Sequence, residues 1–241
     1  MGSQATDRGS EWFVPKFGPM RFRFLVGLLF LPYTGMVVAF SVIGSMVADR
    51  IYWDRVGAVV MIYFLGLGIA AHALDALGSR QAKPWGEVFS RNQLWFMAIL
   101  SLVIAYLIAI YYMVLYVPLL GVVAVLEGFF VFAYNLEWFG GRFHSDGWFA
   151  FSWGFLPVLT GYIIQTNSIS LAALILAGSM ALFSTIEIKA SRPYKELKRS
   201  QGTRRDAARE KEIKTYETIL KTVSLGVILL GVGMLLWRLM R

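Results

Sequence analysis

Seven long apolar stretches, nearly free of charge, leave this 241-residue chain few ways to fold. They lie near residues 24–48, 56–78, 93–113, 118–136, 148–166, 169–188 and 217–238. An α-helix needs roughly 20 apolar residues to cross a bilayer. Hydrocarbon offers no water to satisfy backbone N–H and C=O groups, so such stretches cross as helices. The sequence predicts an all-α polytopic transmembrane bundle of about seven spans. An interfacial segment is expected at 1–22, a single helical domain at 23–241, and within it a basic loop at 189–216.

Charge orients the bundle. The N-terminal segment and the even-numbered loops hold eighteen Lys and Arg, ten of them between Lys189 and Lys214, against four in the odd-numbered loops and the C-terminus. By the positive-inside rule the N-terminus faces the cytoplasm and the C-terminus lies outside. The expected location is the plasma membrane, with the active face cytoplasmic. The net charge of +8 flanks apolar spans, which favours anionic lipid or a phosphorylated substrate as partner and argues against nucleic acid. With no cysteine, neither disulfides nor thiolate metal sites can contribute.

Before the first span, Trp12, Phe13 and Phe17 beside Lys16 suit a segment lying at the membrane interface, and a partly disordered tail fits as well. The apolar stretch that follows is too long for a signal-peptide core, so the segment is expected to be retained.

The polar residues share an address. Asp75 ends span two, Glu137 and Asp146 bracket the fourth loop, and Glu187 ends span six, all on the cytoplasmic side. Glu127 falls mid-span, where it is either a protonated packing residue or part of a cavity wall. The stretch Ile69–Trp85 sets His72 three residues before Asp75, one helical face for both, with Ser79, Arg80 and Lys83 just beyond. An ionisable pair at a span's end is either a functional site or a cap at headgroup level.

The fourth loop runs Tyr134-Asn135-Leu136-Glu137-Trp138-Phe139-Gly140-Gly141-Arg142-Phe143-His144-Ser145-Asp146. Its glycines allow a tight turn and close approach to a ligand. Span five follows with Trp153, a proline at 157 that should kink the helix, and Tyr162. That aromatic-rich helix suits the wall of a cavity for a long apolar chain, and ordinary bundle packing equally. In the sixth loop most charges suit an anionic-lipid anchor, while Lys189 and Arg192 beside Glu187 are placed to meet a phosphate.

Several of these residues form a pattern. Span one opens Arg21-Phe22-Arg23-Phe24 and continues through Leu31-Pro32-Tyr33-Thr34-Gly35, and span two is followed by Lys83-Pro84. Tyr134, Gly140, Gly141, Gly154, Pro157, Val158, Gly161, Tyr162 and Gln165 then follow in order. Over most of residues 21–200 the chain resembles the UbiA-type intramembrane prenyltransferases.

That resemblance implies transfer of an isoprenyl chain from a prenyl diphosphate to a lipid or quinone-precursor acceptor. In that family, carboxylates after helices two and six hold Mg²⁺ against the diphosphate. Here Ala71, His72 and Ser79 stand where Asn, Asp and Asp are expected, and the second acidic motif thins to Glu187 with Ser191. On this reading Asp75, His72 and Glu187 are catalytic, and Arg80, Lys83, Arg142, Lys189 and Arg192 bind diphosphate. Tyr134, Asn135, Trp153 and Tyr162 line the cavity. A metal would draw on Asp75, His72, Glu187, Glu137, His144 and Asp146. Lost carboxylates weaken the case for Mg²⁺, and imidazole beside carboxylate suits Zn, Mn or Fe. Two other functions fit the same scaffold: a metal-dependent enzyme of different chemistry, and an inactive isoprenoid- or lipid-binding subunit of a membrane complex.

Overall fold

A computed structural model describes residues 9, 11–78, 88–199 and 207–241, and every regular element among them is helical. The first stretch is two helices, α1 (Met20–Leu29) and α2 (Leu31–Met46). They meet at Phe30, whose φ of 44° is left-handed. Pro32 has no N–H with which to continue the ladder of α1, so the helix restarts with proline in its first turn, where no N–H is needed.

The second stretch is α3 (Trp53–Tyr63), a π-helical segment Phe64–Ala71, and α4 (His72–Gly78). The third, α5 (Arg91–Leu115), opens on a capping box: Gln93 N donates to Ser90 Oγ at 3.2 Å and Ser90 N to Gln93 Oε1 at 2.8 Å. After α6 (Leu120–Asn135) come α7 (Asp146–Ala150), a π-helical segment Phe151–Phe155, and α8 (Leu156–Thr166). The widened turn just before Pro157 is where the ladder absorbs the missing donor. The last two helices are α9 (Leu171–Arg199) and α10 (Ala207–Leu239). α9 outruns the apolar stretch that ends near 188 and continues through Pro193.

Among the described residues, six helical stretches are long and apolar enough to cross a membrane: Met20–Met46, Trp53–Gly78, Arg91–Leu115, Asp146–Thr166, Leu171–Lys198 and Ala207–Leu239. The remaining expected span, the fourth at 118–136, corresponds to α6, a shorter apolar helix of 16 residues. At 1.5 Å per residue it is about 24 Å long, against roughly 30 Å of hydrocarbon. Large apolar side chains such as Leu107, Val114, Val125, Leu171 and Leu182 are exposed on the outside of the bundle, as a lipid-facing surface requires.

The helices join at two ends. At one, Arg55 donates to the Ile164 carbonyl at 3.1 Å, Tyr52 N to Gln165 Oε1 at 2.8 Å, and Leu119 N to Asn167 Oδ1 at 3.0 Å. The Arg238 guanidinium reaches the Ala48 carbonyl there. The other end gathers α4, the α6–α7 connection, α9 and the N-terminal segment, and is called the basic end below.

Between the ends α2 and α8 touch backbone to backbone. A Cβ on Gly44 would lie 1.9 Å from Val158 O, and one on Gly161 would lie 1.9 Å from Ser41 O. Ser45 Oγ donates across the contact to Gly161 O at 3.0 Å. Small residues permit this approach, and a hydroxyl bonded across it adds to the packing.

Candidate functional site at the basic end

Four separate segments converge here. α4 abuts the end of α6 closely enough that a Cβ on Gly78 would sit 2.2 Å from Asn135 O. At that junction Tyr134 is buried, and Asp75 of α4 stands near enough for its charge to act on the Tyr134 hydroxyl. The His144 ring stacks on Tyr134, centroids 4.4 Å apart and planes at 27°. His144 Nδ1 lies 3.0 Å from the Tyr134 carbonyl, which can only accept, so Nδ1 carries the proton.

The α6–α7 connection is held in unusual backbone. Glu137 and Phe139 join Gly140 and Gly141 at positive φ, with Glu137 at 52° and Phe139 at 56°. Left-handed backbone costs non-glycine residues energy and concentrates where structure serves a binding or switching role. The turn brings Asp146 to α9, where its carboxylate pairs with Arg192 at 3.1 Å and Lys189 at 3.6 Å. Arg192 also donates to the His144 carbonyl at 3.5 Å. Both cations keep exposed side chains, Lys189 at 67% and Arg192 at 43%. Arg142 is exposed on the same loop.

His72 turns inward between two aromatic rings, 5.6 Å from Phe30 and 5.5 Å from Trp153. Trp153 stacks on Phe149 at 5.4 Å, and Phe149 approaches Tyr134 at 5.8 Å. Glu187 is fully buried, its Oε1 3.0 Å from Ser224 Oγ, in the same neighbourhood as Tyr33 and Ser191.

The structure thus brings together His72, Asp75, Tyr134, His144, Asp146, Trp153, Lys189 and Arg192. Asn135 is buried beside them, but its amide turns back to the Val131 carbonyl at 2.8 Å and presents nothing to a cavity. Tyr162 sits sixteen residues beyond Asp146, about 24 Å along the same span and toward the opposite end. Arg80 and Lys83 lie outside the described residues.

Among the described residues, no three His, Cys, Asp or Glu gather to hold a metal ion. Asp146 is engaged by two cations and Glu187 is sealed beside Ser224, while His144, with Nδ1 on a carbonyl, keeps Nε2 as the nitrogen a metal would take.

An open-sided cleft lies between the second span, α5 and α6. Along α6 it runs from Leu120 to Val131, stopping one turn short of Tyr134. Its walls are apolar and low, with Gly66, Ala105, Ala109, Ala124 and Gly128 among the lining residues. Glu127 is at mid-length, its Oε1 2.8 Å from Tyr63 Oη, which in turn lies 2.6 Å from Thr160 Oγ1. The mid-span glutamate is therefore a cavity-wall residue tied across to two other helices. Phe30, Phe149 and Ser224 escaped notice in the sequence, because a buried aromatic or serine in an apolar helix carries no periodic signal, and Tyr33 stood out only as part of the span-one pattern.

The chain matches no family model, no curated protein and no solved structure.

Proposed function

We propose that this integral membrane protein binds a phosphorylated isoprenoid or similarly shaped lipid on a UbiA-like scaffold. In this reading it serves as a lipid-binding component, without divalent-metal transfer chemistry. The observation that carries it is the cleft along α6, whose last lining residue, Val131, stands one turn before Tyr134, with Arg192 close to the Tyr134 hydroxyl. The apolar chain lies against the small residues of α5 and α6. The phosphate exchanges places with Asp146, because two or three negative charges outcompete one carboxylate for Lys189 and Arg192. Arg192 offers a planar fork to two phosphate oxygens, and Lys189 a point charge. The basic end faces the cytoplasm in this reading, as the asymmetry of eighteen against four basic residues supports.

The test is equilibrium binding of geranylgeranyl diphosphate to purified protein in lipid nanodiscs, with pyrophosphate release followed in parallel. Expected are saturable binding that Arg192→Ala weakens about tenfold, indifference to EDTA, and no release. Mg²⁺-dependent release abolished by Asp75→Ala would establish the prenyltransferase instead. Absence of saturable binding overturns the proposal altogether.

A further inference from the structure

The N-terminal segment is packed onto the basic end. Glu11 is buried, and its Oε2 accepts from Tyr194 Oη at 2.6 Å, a bond between residues 183 apart in sequence. Val14 is buried in the main core, Phe13 lies 4.1 Å from Phe30, and the Trp12 ring lies 5.3 Å beneath Lys221 Nζ. The segment has almost no regular structure of its own. Its turns are tied instead by Lys16, whose Nζ donates to the Gly9 and Glu11 carbonyls, and by Arg23, whose Nε donates to Pro15 O at 2.7 Å.

What lies under it is unusually polar for a bundle interior. Glu187, Ser191 and Tyr194 occupy one face of α9 at spacings of four and three, all buried, with Tyr33 of α2 beside them. Two of their atoms, Tyr33 Oη and Glu187 Oε2, are buried without a hydrogen-bond partner. Burying an unpaired polar group costs free energy that water or a polar headgroup would return. Phe30 links cover and site: it stacks on Tyr33 at 4.1 Å, touches His72 at 5.6 Å and meets Phe13 on its outer side.

We propose that residues 11–18 form a displaceable strap closing the basic end over the Tyr33–Glu187–Ser191 column, with Glu11–Tyr194 as its latch. Closed, the strap is held by the Glu11–Tyr194 hydrogen bond, buried Val14, the Phe13–Phe30 pair, the Arg23 bond to Pro15 O and the Trp12–Lys221 cation–π contact. Open, it admits water or a headgroup to the two unpaired atoms, so the cost of releasing the latch is partly offset from inside. Its role as a gate for a lipid headgroup rests on the function proposed above; its opening does not.

The chain lacks cysteine, so one introduced thiol reports on the strap alone. Ser191→Cys, in nanodiscs and without ligand, is treated with a small neutral maleimide, and the labelling rate is compared in backgrounds carrying Glu11→Ala or Tyr194→Phe. Slow labelling is expected with the latch intact, and labelling about tenfold faster in either background, the effect of losing one hydrogen bond to a charged group. A Ser45→Cys control, buried at the α2–α8 contact, should stay unreactive throughout. Equal rates with and without the latch overturn the proposal, as does a parallel rise at Ser45→Cys. Hydrogen exchange on the cysteine-free chain gives a second readout. Amides of residues 11–17 should exchange faster in Tyr194→Phe while those of α2 are unchanged, and no difference counts against the strap. Labelling uses no lipid ligand, so its failure leaves the binding test standing, and a failed binding test leaves the strap standing.

Discussion

Asp146 and Arg192 face each other at 3.1 Å across the gap between α7 and α9, with Lys189 completing the group at 3.6 Å. A carboxylate holding two exposed cations stands where a more highly charged anion would displace it. Because both cations are exposed and Asp146 is half-buried, removing the carboxylate should cost the fold about 1 kcal/mol. Asp146→Asn is expected to leave thermal unfolding within a few degrees of the parent while tightening geranylgeranyl diphosphate binding severalfold. Weaker binding in that variant would mean that the carboxylate contacts the ligand directly.

The cleft can be filled without a clash. A Cβ on Gly66 meets nothing within 4 Å, although Gly66 lines the cleft. Gly66→Leu should fold normally, since leucine is the better helix former, and should reduce binding of the isoprenoid about tenfold or more. Binding measured with inorganic pyrophosphate, which has no chain to seat, should be unaffected.

Glu127 and Tyr63 make a pair whose members are worth more together than apart. Tyr63→Phe strands a carboxyl in an apolar cleft and should destabilise the protein by about 1–3 kcal/mol. Adding Glu127→Leu to Tyr63→Phe should recover most of that loss, because two apolar replacements leave nothing unpaired. Thermal unfolding of the two single variants and the double variant in one detergent checks this. Additive losses would show that the bond contributes nothing across the helices.

The α2–α8 contact should be the least tolerant place in the bundle. Gly161→Ala drives a methyl into Ser41 O, and Gly44→Ala drives one into Val158 O, each where 1.9 Å separates the added carbon from backbone. Overpacking of this kind costs about 1–3 kcal/mol or more, since backbone cannot yield as a side chain does. Gly233→Ala on α10, where a Cβ meets nothing within 4 Å, should be neutral or slightly stabilising.

Helix positions were written plainly in the sequence, because a lipid-crossing helix must be apolar over a fixed length whatever it packs against. Expected and observed limits agree closely for α5 and differ most for α9, which amphipathic pairing carries past its apolar stretch to Arg199. That Asp75, Glu137, Asp146 and Glu187 belong to one side was expected from topology, since helices that alternate must return their ends to one side; that the segments carrying His72, Tyr134, His144 and Arg192 meet was not legible. What each of them touches was not legible. Whether Asn135 lines a cavity or bonds its own helix, or whether Asp146 is a ligand or a counter-ion, depends on side-chain direction. Residue type and spacing leave that open. The strap was hidden for a related reason: an aromatic segment with two prolines reads equally as an interface anchor or a loose tail until its partner Tyr194, 183 residues from Glu11, is in place.

The glycine-to-carbonyl seam joining α2 and α8 has a mechanical consequence. Two rods fused along their length behave as one beam, so the bundle cannot breathe by parting them. On the function proposed above, the widening that admits a lipid tail falls instead to the cleft bordered by α5 and α6, a side door rather than an axial one.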